Sequence, residues 1–343
     1  MRNKIAAFRQ QKGISLSQLA KAVGVSRPSM YAIEGGDQVP KVYLALAIAS
    51  TLGVGVDQLF SDSAVETFYA DDFIDAGAFR ACLAEVDGRM VIRRSSSAGF
   101  GSVTPPADAI VRSDGIQHGI ESEVGRSDLF IDGCDPVLGL IAARSVESSK
   151  SFRVRWFYGS NRSSLAKLHS RSTHCALVHG DVGNAGRQLA EEHSAISVPF
   201  GTWELALCFP PGNPKNITSL TDLLRDDVKF ASRDEGSGVR VFLEMAIGNL
   251  GADLELVSGF RAFADHYKVA AAVGLGLCDA GVIPVSIALE EGLEFISVGV
   301  HESSLLFSKS GYELAAAGGL FDMMASKNFA KEVSALGGYR LVG

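Results

Sequence analysis

The apolar residues of this chain change their period along its length, and that change requires at least two kinds of core. Through residue 60 they recur at spacings of three and four: Ile5 and Phe8 beside Arg9, then Leu16, Leu19, Ala20 and Val23, then Met30 and Ile33, then Leu44, Leu46, Ala47 and Leu52. Such spacing is that of short amphipathic helices. From about residue 131, short strand-like runs alternate with helical ones: DLFIDG, PVLGLIAARS, RVRWFYG, SSLAKLHS and HCALVHG. That alternation indicates an α/β domain with parallel strands. The 343 residues exceed one ordinary core. The expected organisation is multidomain: an all-α module over 1–62, a small β-rich adaptor over 63–130 and an α/β domain over 131–343.

The helix boundaries of the first module can be read residue by residue. Ser15 can accept from the backbone N–H of Ser17 or Gln18, and Gln18 at N3 can reach back as in a capping box. Gly24 after Val23 is suited to a left-handed C-cap. Ser26 with Pro28 supplies an N-cap and a proline tolerated in the first turn. A helix, a tight turn and a second helix result.

Charge is distributed unevenly. Residues 1–60 carry Arg2, Lys4, Arg9, Lys12, Lys21, Arg27 and Lys41 against Glu34, Asp37 and Asp57, a net +4 in a chain of net −7, which leaves −11 for the remainder. A basic module on an acidic body meets phosphates with one end and repels them with the other. No apolar run approaches the ~20 residues that span a bilayer, and the N-terminus MRNKIAAFRQQKG lacks the apolar stretch of a secretory signal, so a cytoplasmic protein is expected. Cys82, Cys134, Cys175, Cys208 and Cys278 form no CxxC pair, which indicates neither a zinc site nor a disulfide framework, and no cofactor is expected.

The string ISLSQLAKAVGVSRPSMYAIEGGDQVPKVYLALAIASTLGVGVDQLF closely resembles the Cro/repressor helix-turn-helix family, the XRE-type regulators, over essentially the whole first module. The resemblance implies operator DNA as a partner, with the second helix of the motif in the major groove. It places Arg27, Ser29 and Tyr31 at base edges, Arg27 able to read guanine through its fork, while Lys41 and Gln18 contact the backbone and set register. A protein-interaction module with an incidental basic face is the alternative.

In the adaptor, FRACLAEV and RMVIRRS flank Asp87-Gly88, a dipeptide suited to a type I′ hairpin turn. The stretch SSSAGFGSVTPPAD, rich in Ser, Gly and Pro, reads as an exposed loop without chemistry.

Several strand-to-helix junctions of the long domain carry small or polar residues: Gly133-Cys134-Asp135-Pro136, Gly159-Ser160-Asn161-Arg162-Ser163 and Glu235-Gly236-Ser237-Gly238. Helix N-termini of this kind attract anions. Asp135 before Pro136 reads equally well as a simple N-cap, whereas Ser160, Asn161 and Ser163 set hydroxyl and amide groups where an oxyanion can accept several bonds. The ordered segments GCDPVLGLIAA, YGSNRSSLAKL, CALVHG, CFPPGNPKNITSLTDLL, FASRDEGSGVRVFLE and DHYKVAAAVGLGLCDAGV resemble the periplasmic-binding-protein-like domain of molybdate-type regulators over roughly residues 131–310. That resemblance implies two α/β lobes joined by crossing strands, with a small ligand closing the cleft between them. By position it brings Ser160, Asn161, His179, Arg233, Ser237, Gly238, Arg240, His266 and Asp279 near the cleft.

For Arg240 the competing role is a buried pair with Asp279, and for His179 and His266 it is that of satisfied core residues. The effector expected first is a small anion, a molybdate- or tungstate-like oxyanion, but Asp265, an extra acidic group beside His266, would repel molybdate and keeps a small carboxylate or a ligand with a cationic group in play. Cys175 beside His174 loosely suggests a thiol nucleophile, but adjacent strand residues face opposite ways. No GxSxG, Walker loop, GxGxxG after a strand or HExxH occurs, so no catalytic residues are expected. The expectation is a ligand-responsive, homodimeric one-component regulator, with a second domain serving assembly alone, or an enzyme, as the alternatives.

Overall fold

The computed structural model describes residues 3–60, 66–70, 78–95, 106–112, 115–118, 127–149, 151–181, 185–257 and 259–342. The chain divides into two compact units, Met1–Glu66 and Thr67–Gly343. In the first unit, α1 (Ile5–Gln11), α2 (Leu16–Ala22), α3 (Arg27–Glu34), α4 (Val42–Leu52) and α5 (Val56–Phe60) enclose Ile5, Leu19, Met30, Ile33 and Ile48, none of which is exposed. Burying each is worth ~1.5–3 kcal/mol.

The ends of these helices follow the capping residues. Ser15 and Gln18 form both halves of a capping box, and the Ser26 hydroxyl accepts from Ser29 N–H with Pro28 in the first turn. Gly24 and Gly53 take the positive φ values of 74° and 75° that stop α2 and α4. Arg9 donates from Nε and Nη2 to the two carboxylate oxygens of Glu34, at 2.9 and 2.7 Å, which ties α1 to α3. One sequence expectation is corrected: Leu46 does not join the core but is 55% exposed, because the buried stripe of α4 runs Leu44, Ala45, Ile48, Ala49 and Leu52.

The second unit begins with a sheet ordered β1-β3-β2-β4-β5: β1 (Glu66–Tyr69), β2 (Phe79–Val86), β3 (Arg89–Arg94), β4 (Ala109–Arg112) and β5 (Gly115–His118). Asp87 and Gly88, both at positive φ, make the type I′ turn of the β2–β3 hairpin. Residues 96–105 of the Ser/Gly/Pro-rich stretch lie outside the described residues, but Ala107 and Asp108 at its end are buried, which corrects the reading of that end as an exposed loop. The Asp108 carboxylate accepts from Leu83 N–H and from the guanidinium groups of Arg153 and Arg155, at 3.0, 2.8 and 2.6 Å.

A larger sheet follows. Its first parallel group contains β6 (Ser127–Gly133), β7 (Phe152–Tyr158) and β8 (Cys175–Asp181), with α6 (Val137–Ser148), α7 (Asn161–His169) and α8 (Ala185–Glu192) after the respective strands. After the long β9 (Ile196–Phe209), a second parallel group contains β10 (Phe230–Arg233), β11 (Phe260–Phe263) and β12 (Ala280–Pro284), with α9 (Gly238–Asn249), α10 (His266–Gly274) and α11 (Val285–Glu290). Then come β13 (Glu294–Phe307), α12 (Lys309–Ala317), α13 (Leu320–Met324), α14 (Lys327–Ala335) and β14 (Tyr339–Leu341).

The strand order is β11-β10-β12-β9-β13-β8-β6-β7, with β14 also on β9. The antiparallel 14-residue strands β9 and β13 pair from Ile196↔Phe307 to Phe209↔Glu294. β12 joins β9 at residues 205–208, while β8 joins β13 at residues 301–307. Two lobes therefore share two crossing strands, and the C-terminal ends of their parallel strands supply the loops of the cleft.

Candidate functional site

In the helical unit α3 buries Met30 and Ile33 and leaves Arg27 and Tyr31, one turn apart, on its open face, Tyr31 being 70% exposed. Ser29 is half-buried, its hydroxyl 3.5 Å from Gln38 Oε1. Lys41 is exposed at the N-cap of α4. Gln18 is exposed too, but its side-chain oxygen accepts from Ser15 N–H at 2.7 Å, leaving only its amide hydrogens for another partner. A short helix with one exposed, partly basic face is the geometry that enters a major groove.

In the second unit the loops after β6, β10 and β11 and the strands β8, β9 and β13 converge on a buried polar cluster. Cys134 follows β6, Arg233 ends β10, His266 opens α10, His179 lies on β8, Trp203 on β9 and His301 on β13; each is at most 4% exposed. Sγ of Cys134 is 3.1 Å from Nε2 of His179, whose Nδ1 is 2.9 Å from Nδ1 of His301. The two imidazoles stack with centroids 5.1 Å apart, and Trp203 meets the His179 ring edge-on at 4.8 Å. Gly238, first residue of α9, lies so close to His179 that a Cβ there would be 2.7 Å from its Cε1. The lobes also meet where Arg162 N–H donates to Gly236 carbonyl at 3.2 Å.

Burial governs the charges. His179 and His266 are held well below the usual histidine range, chiefly by desolvation; next in weight come the neighbouring His301 for His179 and the Arg233 charge for His266. Burial pushes the Cys134 thiol up, although Arg233 opposes it. Asp135 is raised to about 6 by burial, despite hydrogen bonds from the Tyr339 hydroxyl, Val137 N–H and the Ser303 hydroxyl. The Arg233 guanidinium is stacked 5.3 Å from the Tyr158 ring and reaches Asp234 with Nη2 at 3.3 Å. Among the described residues Nε and Nη1 of Arg233 and both ring nitrogens of His266 are buried with no hydrogen-bond acceptor or donor.

Of the residues expected at the cleft, His179, Arg233, Gly238 and His266 come together here. Ser160 and Ser237 cap α7 and α9 by accepting from Ser163 and Arg240 N–H. Asn161 clasps the His179 backbone with both its oxygen and its nitrogen, and the Ser163 hydroxyl donates to Ser160 carbonyl at 3.1 Å. These four secure the loops. Two expectations are corrected. Arg240 points along α9 to Glu244 and Glu255 and stacks on Phe260 at 4.4 Å, so its fork is occupied. Asp279 accepts from Lys229 N–H at 2.8 Å before the first residues of β10 and β12, the opposite ends of those strands from Arg233, and forms no pair with Arg240.

Asp135 accepts from Val137 N–H at 3.0 Å but also enters the buried network with Tyr339 and Ser303, beyond simple capping. Asp265 caps α10 through Lys268 N–H. The His174–Cys175 pair is structural, since His174 Nδ1 accepts from Phe130 N–H and Nε2 donates to Glu85 carbonyl. Sequence reasoning missed Cys134, Trp203 and His301. Cys134 stood in a junction already marked as a helix start; nothing in the sequence marked the two crossing-strand residues. A surface groove of about 550 Å³ along α6 and α14, lined by Arg144, Phe329 and Glu332 among others, shares no residue with the cluster.

Residues 143–325 match the family model of the PBP superfamily domain, and residues 5–59 match a helix-turn-helix model. The chain is 33% identical over 223 residues, 63% of its own length and 71% of the relative's, to the Uncharacterized protein YvgK of Bacillus subtilis (strain 168). It is 38% identical over 60 residues, 18% of its length and 91% of the relative's, to the Uncharacterized HTH-type transcriptional regulator YgzD of the same organism. In fold it is similar to a Putative Phosphate ABC Transporter Substrate-Binding Protein with bound phosphate from Clostridium perfringens, with TM-score 0.51 and 14% identity over 63% of this chain and all of that one.

Proposed function

We propose that this chain, which belongs to the PBP superfamily and carries an N-terminal helix-turn-helix domain, is a one-component transcriptional regulator whose cleft senses a small anion. The observation that carries the reading is Arg233: a guanidinium only 1% exposed, with Nε and Nη1 partnerless among the described residues. Nη2 reaches only the half-exposed Asp234, at 3.3 Å, so two buried nitrogens of the guanidinium stay unmet, a penalty that an oxyanion or carboxylate accepting from the guanidinium removes. Neutral His266 beside it adds a donor.

Arg27, Ser29 and Tyr31 read bases and Gln18 and Lys41 hold the backbone, in a homodimer spanning half-sites ~34 Å apart. A ligand that prefers the closed lobes shifts the population toward them, and that shift is what alters operator occupancy. Catalysis plays no part in this reading. Cys134 beside His179 has the spacing of a nucleophile and base, but burial keeps the thiol protonated and the imidazole a weak base, the reverse of what a thiolate nucleophile needs.

The test is a thermal-shift screen of the full chain with molybdate, tungstate, sulfate, phosphate and small carboxylates, beside Arg233→Met. A ligand at 100 times its Kd adds ~2.7 kcal/mol, so one anion should raise the melting temperature of the wild type and leave Arg233→Met unmoved. No response to any of them, or an equal response in both proteins, overturns the anion reading and leaves the second domain to an organic effector or to assembly.

A further inference from the structure

The cluster in the cleft contains a donor set of which the anion reading uses only one N–H of His266. One ligand atom each of Cys134, His179 and His266 lies within 4.8 Å of the others, and all three side chains are buried. They come from both lobes, Cys134 and His179 from the first and His266 from the second.

Two further observations distinguish this trio from ordinary packing. Both ring nitrogens of His266, itself 1% exposed, are without a hydrogen-bond partner among the described residues, although a polar group taken out of water ordinarily finds one. His179 Nδ1 is held 2.9 Å from His301 Nδ1 while its Nε2 is aimed at the Cys134 sulfur. A histidine fixed through one nitrogen by a neighbour, with the other aimed at a common point, is the usual arrangement around a ligating imidazole.

We propose that Cys134, His179 and His266 bind a borderline divalent transition-metal ion, of the zinc and cobalt class, which fastens the two lobes together. One sulfur and two imidazole nitrogens suit such an ion in tetrahedral geometry with its fourth position open. On binding, the Cys134 S–H bond breaks, its proton leaves to solvent and a sulfur–metal bond forms. Each imidazole contributes a lone pair, and no electron is transferred. The thiolate cancels one of the two positive charges. Arg233, whose charge acts on all three side chains, is left to hold an anion beside the ion. In that last respect the inference rests on the cleft reading above.

The experiment uses reduced, chelator-stripped full-length protein titrated with Co²⁺ alone, followed by Zn²⁺ displacement. One equivalent of cobalt should give a near-ultraviolet thiolate charge-transfer band and tetrahedral visible bands, both lost when zinc is added. Cys134→Ala should remove the charge-transfer band and Cys278→Ala should retain it. His266→Ala should keep thiolate ligation but weaken binding by at least ~100-fold, and His301→Phe by ~10–100-fold as a supporting residue. Circular dichroism establishes that each variant is folded.

Absence of stoichiometric cobalt binding by the wild type, or a charge-transfer band that persists in folded Cys134→Ala, overturns the metal site. An oxyanion thermal shift on the stripped protein separates the two readings. If an anion stabilises it and cobalt does not bind, only the metal site fails; if cobalt binds and no anion stabilises, the metal site stands and the anion reading falls.

Discussion

Arg93 on β3 and Asp132 on β6 form a bidentate ion pair, Nη2 lying 2.8 Å from Oδ1, and their side chains are 1% and 0% exposed. The guanidinium also sits 3.6 Å from the Phe157 ring centroid. The pair joins the small sheet to the first strand of the first lobe, one residue before the loop that carries Cys134.

Breaking that pair from one side leaves the buried Asp132 carboxylate with only the partly exposed Lys167, 3.5 Å away, to oppose its charge. Arg93→Ala should lose ~3–5 kcal/mol of stability, seen as a lower urea midpoint, whereas Arg93→Met combined with Asp132→Leu should recover most of the loss. A single variant with an unchanged midpoint would show that the pair does not tie sheet to lobe.

His174 makes stability depend on pH in a definite direction. Burial lowers its folded value from 6.5 to about 4, so the folded chain binds fewer protons than the unfolded one between those limits. Its contribution is complete above pH 6.5 and is lost as pH falls toward 4, by about 3 kcal/mol. His174→Gln keeps a donor and an acceptor without titrating. Urea midpoints of wild type and variant should therefore diverge on acidification, and parallel curves would sink the assignment.

Gly238 sets how closely the lobes approach. An added Cβ meets His179 Cε1 at 2.7 Å and its carbonyl oxygen at 2.8 Å. Gly238→Ala should hold the cleft ajar, making Trp203, now 1% exposed, accessible to acrylamide in a Trp156→Phe background. Quenching that stays at the parent level would mean the clash is relieved locally.

The helical unit gives a separable prediction. Arg27→Ala should weaken specific operator binding by ~1–3 kcal/mol and relax discrimination at one base pair, as measured by fluorescence anisotropy. Anion-induced stabilisation of the sensor should stay at the wild-type level. Loss of both effects would mean that the two modules do not act independently.

Much was written in local sequence. The capping box of Ser15 and Gln18, the Ser26 cap with Pro28, the Asp87-Gly88 turn and the alternation of apolar strands with helices each depend on neighbours within a few residues. Backbone sterics and capping hydrogen bonds act at that range, and the family resemblance extended them to a helix-turn-helix joined to a two-lobed domain. What only the tertiary structure decided is which long-range partner each polar side chain meets. Arg233 and Arg240 flank the same Gly-Ser-Gly turn, yet one is buried facing the cleft cluster and the other is taken by Glu244 and Glu255. His301 lies 122 residues from His179 and meets it because β8 and β13 are adjacent in the sheet. Sequence spacing carries no trace of such pairings, since strand order and lobe closure, fixed by burial of the whole core, create them.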